Sequence, residues 1–101
     1  MAVYIVAKID ITDRERYGQY EAGFMAIFER FGGRLHAVDE DVTVLEGGWP
    51  ATRSVLIEFD DSDQAMAWYR SAEYQALAQH RFAASSANIV MLQSLSTRAP
   101  D

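Results

Sequence analysis

Cysteine is absent from the 101 residues of this chain, and proline occurs only twice. Without cysteine there is no disulfide framework, no thiol nucleophile and no thiolate metal site. Lysine is nearly missing too: Lys8 is the only one, and arginine supplies the other positive charges. Acidic residues outnumber basic ones by 15 to 9, for a net charge of −6. Dense positive charge feeds non-specific nucleic-acid binding and adhesion to anionic membranes, and this chain has no such patch. No apolar run approaches the roughly 20 residues that span a bilayer. The N-terminal apolar run has no basic stretch before it and no small-residue cleavage pattern after it, so the expected location is cytoplasmic.

What is present is apolar. Half of the residues are hydrophobic and 12% are aromatic. That composition excludes a disordered or low-complexity protein and predicts one globular domain over residues 1–101, with 96–101 as a frayed tail. A domain this small buries only about two-thirds of its unfolded surface. An apolar surplus therefore points to a surface awaiting a partner.

Ala2 to Ile9 alternates and is rich in β-branched residues, which predicts a strand. Thr12-x-x-Glu15 reads as a capping box opening a helix. Tyr17, Tyr20, Phe24, Ile27, Phe28 and Phe31 hold a helical period until Gly32-Gly33 offers a C-terminal cap. Arg34–Val38 reads as a second strand, Val42–Leu45 as a short extra one, and Arg53–Phe59 as a third main strand. Asp60–Asp63 is an acidic helix start, a position where negative charge complements the helix dipole. A helix follows from Ala65, with Ser71 capping a continuing or kinked segment to about Ala84. Ala87–Leu95 reads as the last strand. This order is a ferredoxin-like split β-α-β fold of the α+β class, with a four-stranded antiparallel sheet and both helices on one face.

The face away from the helices should then be polar, yet by strand parity Tyr4 and Val6 oppose Val3 and Ile5, Leu56 opposes Val55 and Ile57, and Ile89, Met91 and Leu95 oppose Val90 and Leu92, and these sets are all apolar. No third helix is available to cover it. A second copy of the chain, sheet against sheet about a two-fold axis, is the expected cover. Burying even ~400 Å² of apolar surface per chain is worth roughly 10 kcal/mol before the cost of association.

The same parity places polar residues on that face. Arg34 and His36 oppose Leu35 and Ala37, Glu58 opposes Ile57 and Phe59, and Lys8 follows Tyr4 and Val6. Together Tyr4, Lys8, Arg34, His36 and Glu58 supply a base, an acid, cations and an aromatic wall, the ingredients of proton transfer on a small molecule. His36 is the candidate general base, because an imidazole titrates near neutrality. The plainer reading makes Arg34–Glu58 a structural ion pair and His36 a solvated strand-end residue. Glu46 pairs with Arg53 to lock a loop, or both belong to a binding site. Trp49 is a plug over the sheet edge or a lid over a pocket. Trp68 and Tyr69 are core and interface, or ligand contacts. Arg81 neutralises an internal carboxylate or holds a substrate anion. No metal-ligand spacing, phosphate loop or nucleophile elbow occurs, so neither a metal nor a cofactor is expected.

Gly32-Gly33-Arg34, Leu45-Glu46-Gly47 with Trp49-Pro50 and Arg53, Ile57-Glu58-Phe59, Ala67-Trp68-Tyr69 with Ser71-x-Glu73-Tyr74, and Arg81 resemble domain-of-unknown-function family 1330. The resemblance runs from about Tyr4 to Leu95. It implies a dimeric α/β barrel, in which two ferredoxin-like sheets pack face to face, and it carries no established activity. The wider superfamily it resembles contains cofactor-free monooxygenases, lactone isomerases, dehalogenating enzymes and haem proteins as well as binding domains, and fold does not decide among them. Two functions follow as expectations. One is a cofactor-free enzyme acting on a small carbonyl or carboxylate compound by proton transfer. The other is a non-catalytic ligand-binding or accessory dimer.

Overall fold

The computed structural model describes residues 2–95; the tail expected over 96–101 lies outside the described residues. Strand β1 (Val3–Ile11) is followed by helix α1 (Arg14–Arg30), β2 (Arg34–Asp39), β3 (Arg53–Phe59), α2 (Ser62–Arg70), α3 (Ala72–Ala84) and β4 (Ser85–Gln93). The four strands form one antiparallel sheet in the order β2-β3-β1-β4. The class is α+β and the topology ferredoxin-like, as the element order predicts. The second helical segment is interrupted at Ser71, whose extended backbone ends α2 and whose hydroxyl accepts the Tyr74 N–H to cap α3. The helices among the described residues therefore number three rather than two.

Strand β1 shows why the layers form. Val3, Ile5, Ala7 and Ile9 are buried and alternate with partly exposed Tyr4, Val6 and Lys8. The buried set faces the helices, where Tyr17, Tyr20 and Phe28 of α1 and Tyr74 and Ala78 of α3 meet it in one core. An aromatic lattice fills the centre. Phe28 stacks on Phe24 at 4.9 Å and meets the Phe59 ring edge-on at 5.4 Å, while Trp68 lies 4.3 Å from Tyr74.

Several local expectations change. The helix α1 cap is Asp13, which accepts from Arg16 N–H, and not Thr12. Strand β1 runs two residues beyond Ile9, which carries Thr12 over to the end of α3, where its amide and hydroxyl both donate to the Ala84 carbonyl. No short strand forms at Val42–Leu45, because no described strand offers it a ladder; Val44 and Leu45 are exposed in the loop instead. Strand β4 starts at Ser85 and ends at Gln93, directly after α3 with no intervening loop. Strand β2 carries a bulge between Leu35 and Ala37. The extra residue reverses the parity beyond it, so Ala37 opposes Leu56 and Val38 opposes Val55 on the helix side.

The outer face of the sheet has no cover among the described residues. In β4 it is Val90 and Leu92, 55% and 51% exposed, that lie beside Tyr4, Val6 and Leu56 on this face, whereas Ile89 and Met91, the set expected to oppose them, pair with Ala7 and Ile5 on the helix side. No helix of the described residues is long and apolar enough to cross a membrane.

Candidate functional site

Two clusters of polar chemistry stand on opposite faces of the sheet. The outer one is assembled by β1, β2 and β3. Arg34 lies opposite Glu58 in the register, and Tyr4 lies opposite Glu58 from the other side. The Arg34 guanidinium bridges the Glu58 carboxylate at 3.0 Å and Asp60 at 2.9 Å. His36 Nε2 is 2.6 Å from Glu58 Oε1, and its ring centroid is 6.2 Å from that of Tyr4. The Arg34 and then the His36 hydrogen bonds hold the Glu58 carboxyl below the usual carboxylate range. The hydrogen bonds that Arg34 donates to Glu58 and Asp60 raise its own pKa in return. The predicted grouping of Tyr4, Arg34, His36 and Glu58 thus exists, at an exposed edge of the sheet. Lys8 lies at the far end of the same strand. Its ammonium sits 4.4 Å from the centre of the Trp49 ring, and Trp49 Nε1 donates to Ser54 Oγ at 2.7 Å. Trp49 therefore folds down over the end of the outer face, apart from the Glu58 cluster.

The second cluster surrounds a cavity of about 190 Å³ between the sheet and the helices. Ile5, Ala7, Val55 and Ile57 form its floor, and Phe24, Trp68 and Tyr69 its apolar walls. Partly exposed Met25, Leu35 and Val38 mark its mouth, between α1 and the bulged edge strand. Polar groups enter from three elements. Tyr17, Tyr20 and Glu21 come from α1, Arg53 from β3, and Tyr74 and Arg81 from α3. Tyr20 and Tyr74 share a hydrogen bond of 2.8 Å between their hydroxyls, and both are buried. Burial, reinforced by Tyr74, lifts the Tyr20 phenol well above its ordinary value, and burial raises Tyr17 as well. At neutral pH the Tyr17 and Tyr20 hydroxyls are proton-bearing donors.

Arg81 is 4% exposed. Its Nη2 lies 3.5 Å from the Tyr74 hydroxyl, and its guanidinium stacks over the Tyr20 and Phe82 rings. Burial works against its charge, but the Tyr74 and Tyr20 hydroxyls more than offset that, so its pKa lies above the ordinary arginine value. The expected internal carboxylate is absent among the described residues, since neither Glu nor Asp reaches Arg81. Arg53 corrects a second pairing. It opposes Ile9 on the helix side, binds Glu21 at 2.8 Å and Glu40 at 3.0 Å, and lies over the Tyr17 ring. Glu46 remains exposed in the loop beyond, because β3 starts by pointing Arg53 toward α1.

Of the predicted site residues, Arg53, Trp68, Tyr69 and Arg81 line the cavity, whereas Tyr4, Lys8, Arg34, His36, Glu46, Trp49 and Glu58 do not. Tyr17, Tyr20, Glu21 and Tyr74 line it without having been singled out. Their signal is legible in retrospect. Tyrosines replace aliphatic residues on the buried stripe of α1, and Tyr74 and Arg81 lie seven residues apart, on one face of α3. No group of three or more potential metal ligands occurs among the described residues.

The family model for a domain of unknown function, DUF1330, matches residues 2–95. The chain belongs to this family. Solved structures extend the likeness of this DUF1330 chain at low identity. RPA0582, a protein of unknown function from Rhodopseudomonas palustris, is 19% identical with a TM-score of 0.79, covering 93% of this chain and 82% of that one. A dimeric ferredoxin-like protein of unknown function from Jannaschia sp. CCS1 is 12% identical with a TM-score of 0.68, covering 93% and 100%. SnoaB, a cofactor-independent oxygenase from Streptomyces nogalater, is 17% identical with a TM-score of 0.65, covering 92% of each chain. No curated protein matches the sequence. At these identities the similarity establishes the ferredoxin-like fold of the DUF1330 chain and leaves its chemistry to its own residues.

Proposed function

We propose that this DUF1330 chain forms a homodimer through the outer sheet face and acts as a cofactor-free enzyme on a small carbonyl or carboxylate compound, held in the cavity on the helix side. The observation that carries the reading is the convergence of Tyr20, Tyr74 and Arg81 on a cavity whose floor and walls are largely apolar. Neutral phenols and a guanidinium stabilise negative charge developing on a substrate oxygen, and a water-poor pocket strengthens that effect. In the proposed step a carbon-bound proton next to the substrate carbonyl passes to the Glu21 carboxylate at the cavity wall. The electron pair of the broken C–H bond moves into the enolate, whose oxygen receives hydrogen bonds from Arg81 or a tyrosine. Return of the proton completes an isomerisation or exchange.

Proton NMR in D₂O tests this with phenylpyruvate and acetoacetate as probes. The expected result is enzyme-accelerated loss of the α-proton signal, reduced by about tenfold or more in Glu21→Gln. Acceleration that persists unchanged in Glu21→Gln, or no acceleration at all, overturns the proton-transfer step. The second reading, a ligand-binding dimer without turnover, is favoured by one observation: the Glu21 carboxylate is already engaged by Arg53 at 2.8 Å. Binding of the probes without exchange would establish it.

The dimer draws its support from the uncovered Tyr4, Val6, Leu56, Val90 and Leu92 surface and from dimeric structures of the same fold. Light scattering should return a mass about twice the 11.4 kDa of the chain. A monomer mass at micromolar concentration refutes it.

A further inference from the structure

The cavity's polar groups are unevenly supplied. Buried charges in folded proteins are paired, and buried donors find acceptors. Here Arg81 is buried with no carboxylate partner among the described residues, and its Nε has no hydrogen-bond partner. Trp68, also 4% exposed, leaves its Nε1 unpartnered. Both residues line the cavity, together with the Tyr20–Tyr74 hydroxyl pair, which uses one of its two protons internally and keeps the other to donate. Glu21, which lines the cavity, is bound by Arg53, and Glu40 by Arg53 and Arg14. The interior is thus rich in donors and short of one acceptor that carries a negative charge.

The size of the space limits the rest of the ligand. An apolar cavity of ~150 Å³ accepts a benzene ring. About 190 Å³ with walls of Phe24, Trp68 and Tyr69 takes one ring and a small substituent. The walls are aromatic faces and aliphatic branches, suited to a flat apolar body.

Resting on the reading of this cavity as the ligand site, we infer that its ligand class is a monocarboxylate on a single ring-sized apolar body, with the carboxylate seated on Arg81 beside Tyr74 and the ring against Trp68. The ligand completes the ion pair that the fold leaves open. Guanidinium and carboxylate match as a planar fork, so a carboxylate fits better than a spherical anion. The mouth between α1 and β2 admits the ligand past Met25 and Leu35.

Benzoate and its neutral isostere benzamide separate the possibilities, with binding measured by calorimetry on the purified full-length protein at pH 7. Benzoate is expected to bind at least about tenfold more tightly than benzamide, the advantage of a charge-assisted contact in a buried site. Arg81→Met should abolish that preference. Arg81→Lys, which keeps the charge but loses the fork, should retain part of it and guards against a mere folding defect. Tyr74→Phe should weaken benzoate binding several-fold. Equal affinity of the wild-type protein for the two probes overturns the carboxylate assignment and leaves the cavity as a site for neutral rings. Failure of both probes to bind overturns the assignment together with the reading of the cavity as a ligand site. Benzoate binding unchanged in Arg81→Met places the anion elsewhere and likewise overturns the proposal.

Discussion

Gly33 is the position at which adding one carbon should do the most harm for its size. It follows the end of α1, where its amide donates to the Phe28 carbonyl at 3.1 Å, and a Cβ built there would overlap the Phe28 ring. That ring is fully buried and boxed by Phe24, Phe59 and Trp68 at 4.9, 5.4 and 5.9 Å, so it has nowhere to move. Overpacking of this kind costs about 1–3 kcal/mol. A loss of about 2 kcal/mol lowers the melting temperature of a domain of this size by about 8–16 °C. Gly18 makes a matched control. It lies inside α1 with open space where a methyl would sit, so Gly18→Ala should gain about 0.5–1 kcal/mol from helix propensity and a less flexible unfolded chain. Urea denaturation of Gly33→Ala and Gly18→Ala against wild type should move the midpoint in opposite directions at unchanged slope. Phe28→Leu should also cost less in the Gly33→Ala background than in wild type, with a coupling on the order of 1 kcal/mol. If Gly33→Ala lies within about 0.5 kcal/mol of wild type, the reasoning from tight packing at the α1–β2 junction is refuted.

Other outcomes follow from the same packing and pairing. Phe28→Ala removes a fully buried ring and should cost about 3–5 kcal/mol in the same assay, a large share of the ~5–15 kcal/mol typical of a domain. Glu58 has a depressed folded pKa, so its pairing with Arg34 and His36 stabilises the protein above the ordinary carboxylate range and is lost as pH falls below it. Glu58→Gln should therefore flatten the decline of stability between about pH 5 and 3; an unaltered slope refutes that role. Tyr20 has a raised folded pKa, so its contribution is intact below about pH 10 and fades above it, where the unfolded chain ionises first. Tyr20→Phe should weaken the alkaline loss of stability, read as melting temperature against pH. Leu92→Asp, on the uncovered face, should convert a dimer into a monomer by light scattering with little change in secondary structure.

The two clusters differ in how they use their charges. On the outer face Arg34, His36, Glu58 and Asp60 satisfy one another, an arrangement that orders a sheet edge and leaves little for a ligand. In the cavity Arg53 is neutralised by carboxylates, and Arg81 is left with phenols. Solvent reaches the first set, whereas Arg81 is 4% exposed, so an open valence matters more there. That contrast, more than the number of polar residues, moves the chemical interest from the sheet surface to the helix side.

Local pattern was enough for the layers. The alternation of Val3, Ile5, Ala7 and Ile9, the aromatic period of α1 and the glycine pair after it dictate strand, helix and stop, because each depends on neighbours within a few residues. The same parity pointed to an uncovered apolar face and put Arg34, His36 and Glu58 on it; that they meet is decided by the pairing of β2 with β3. Alternation could not foresee the β2 bulge, which turned Val38 inward, or the longer β1, which took the cap from Thr12. Nor could it pair Arg53 with Glu21 and Glu40 or leave Arg81 without a carboxylate. A charge's partner is set by distances between elements far apart in the chain, and those distances exist only after α1 and α3 have closed over the sheet. The apolar surplus was written into the composition; the cavity, and the cation in it that no carboxylate of the described residues reaches, came from the packing.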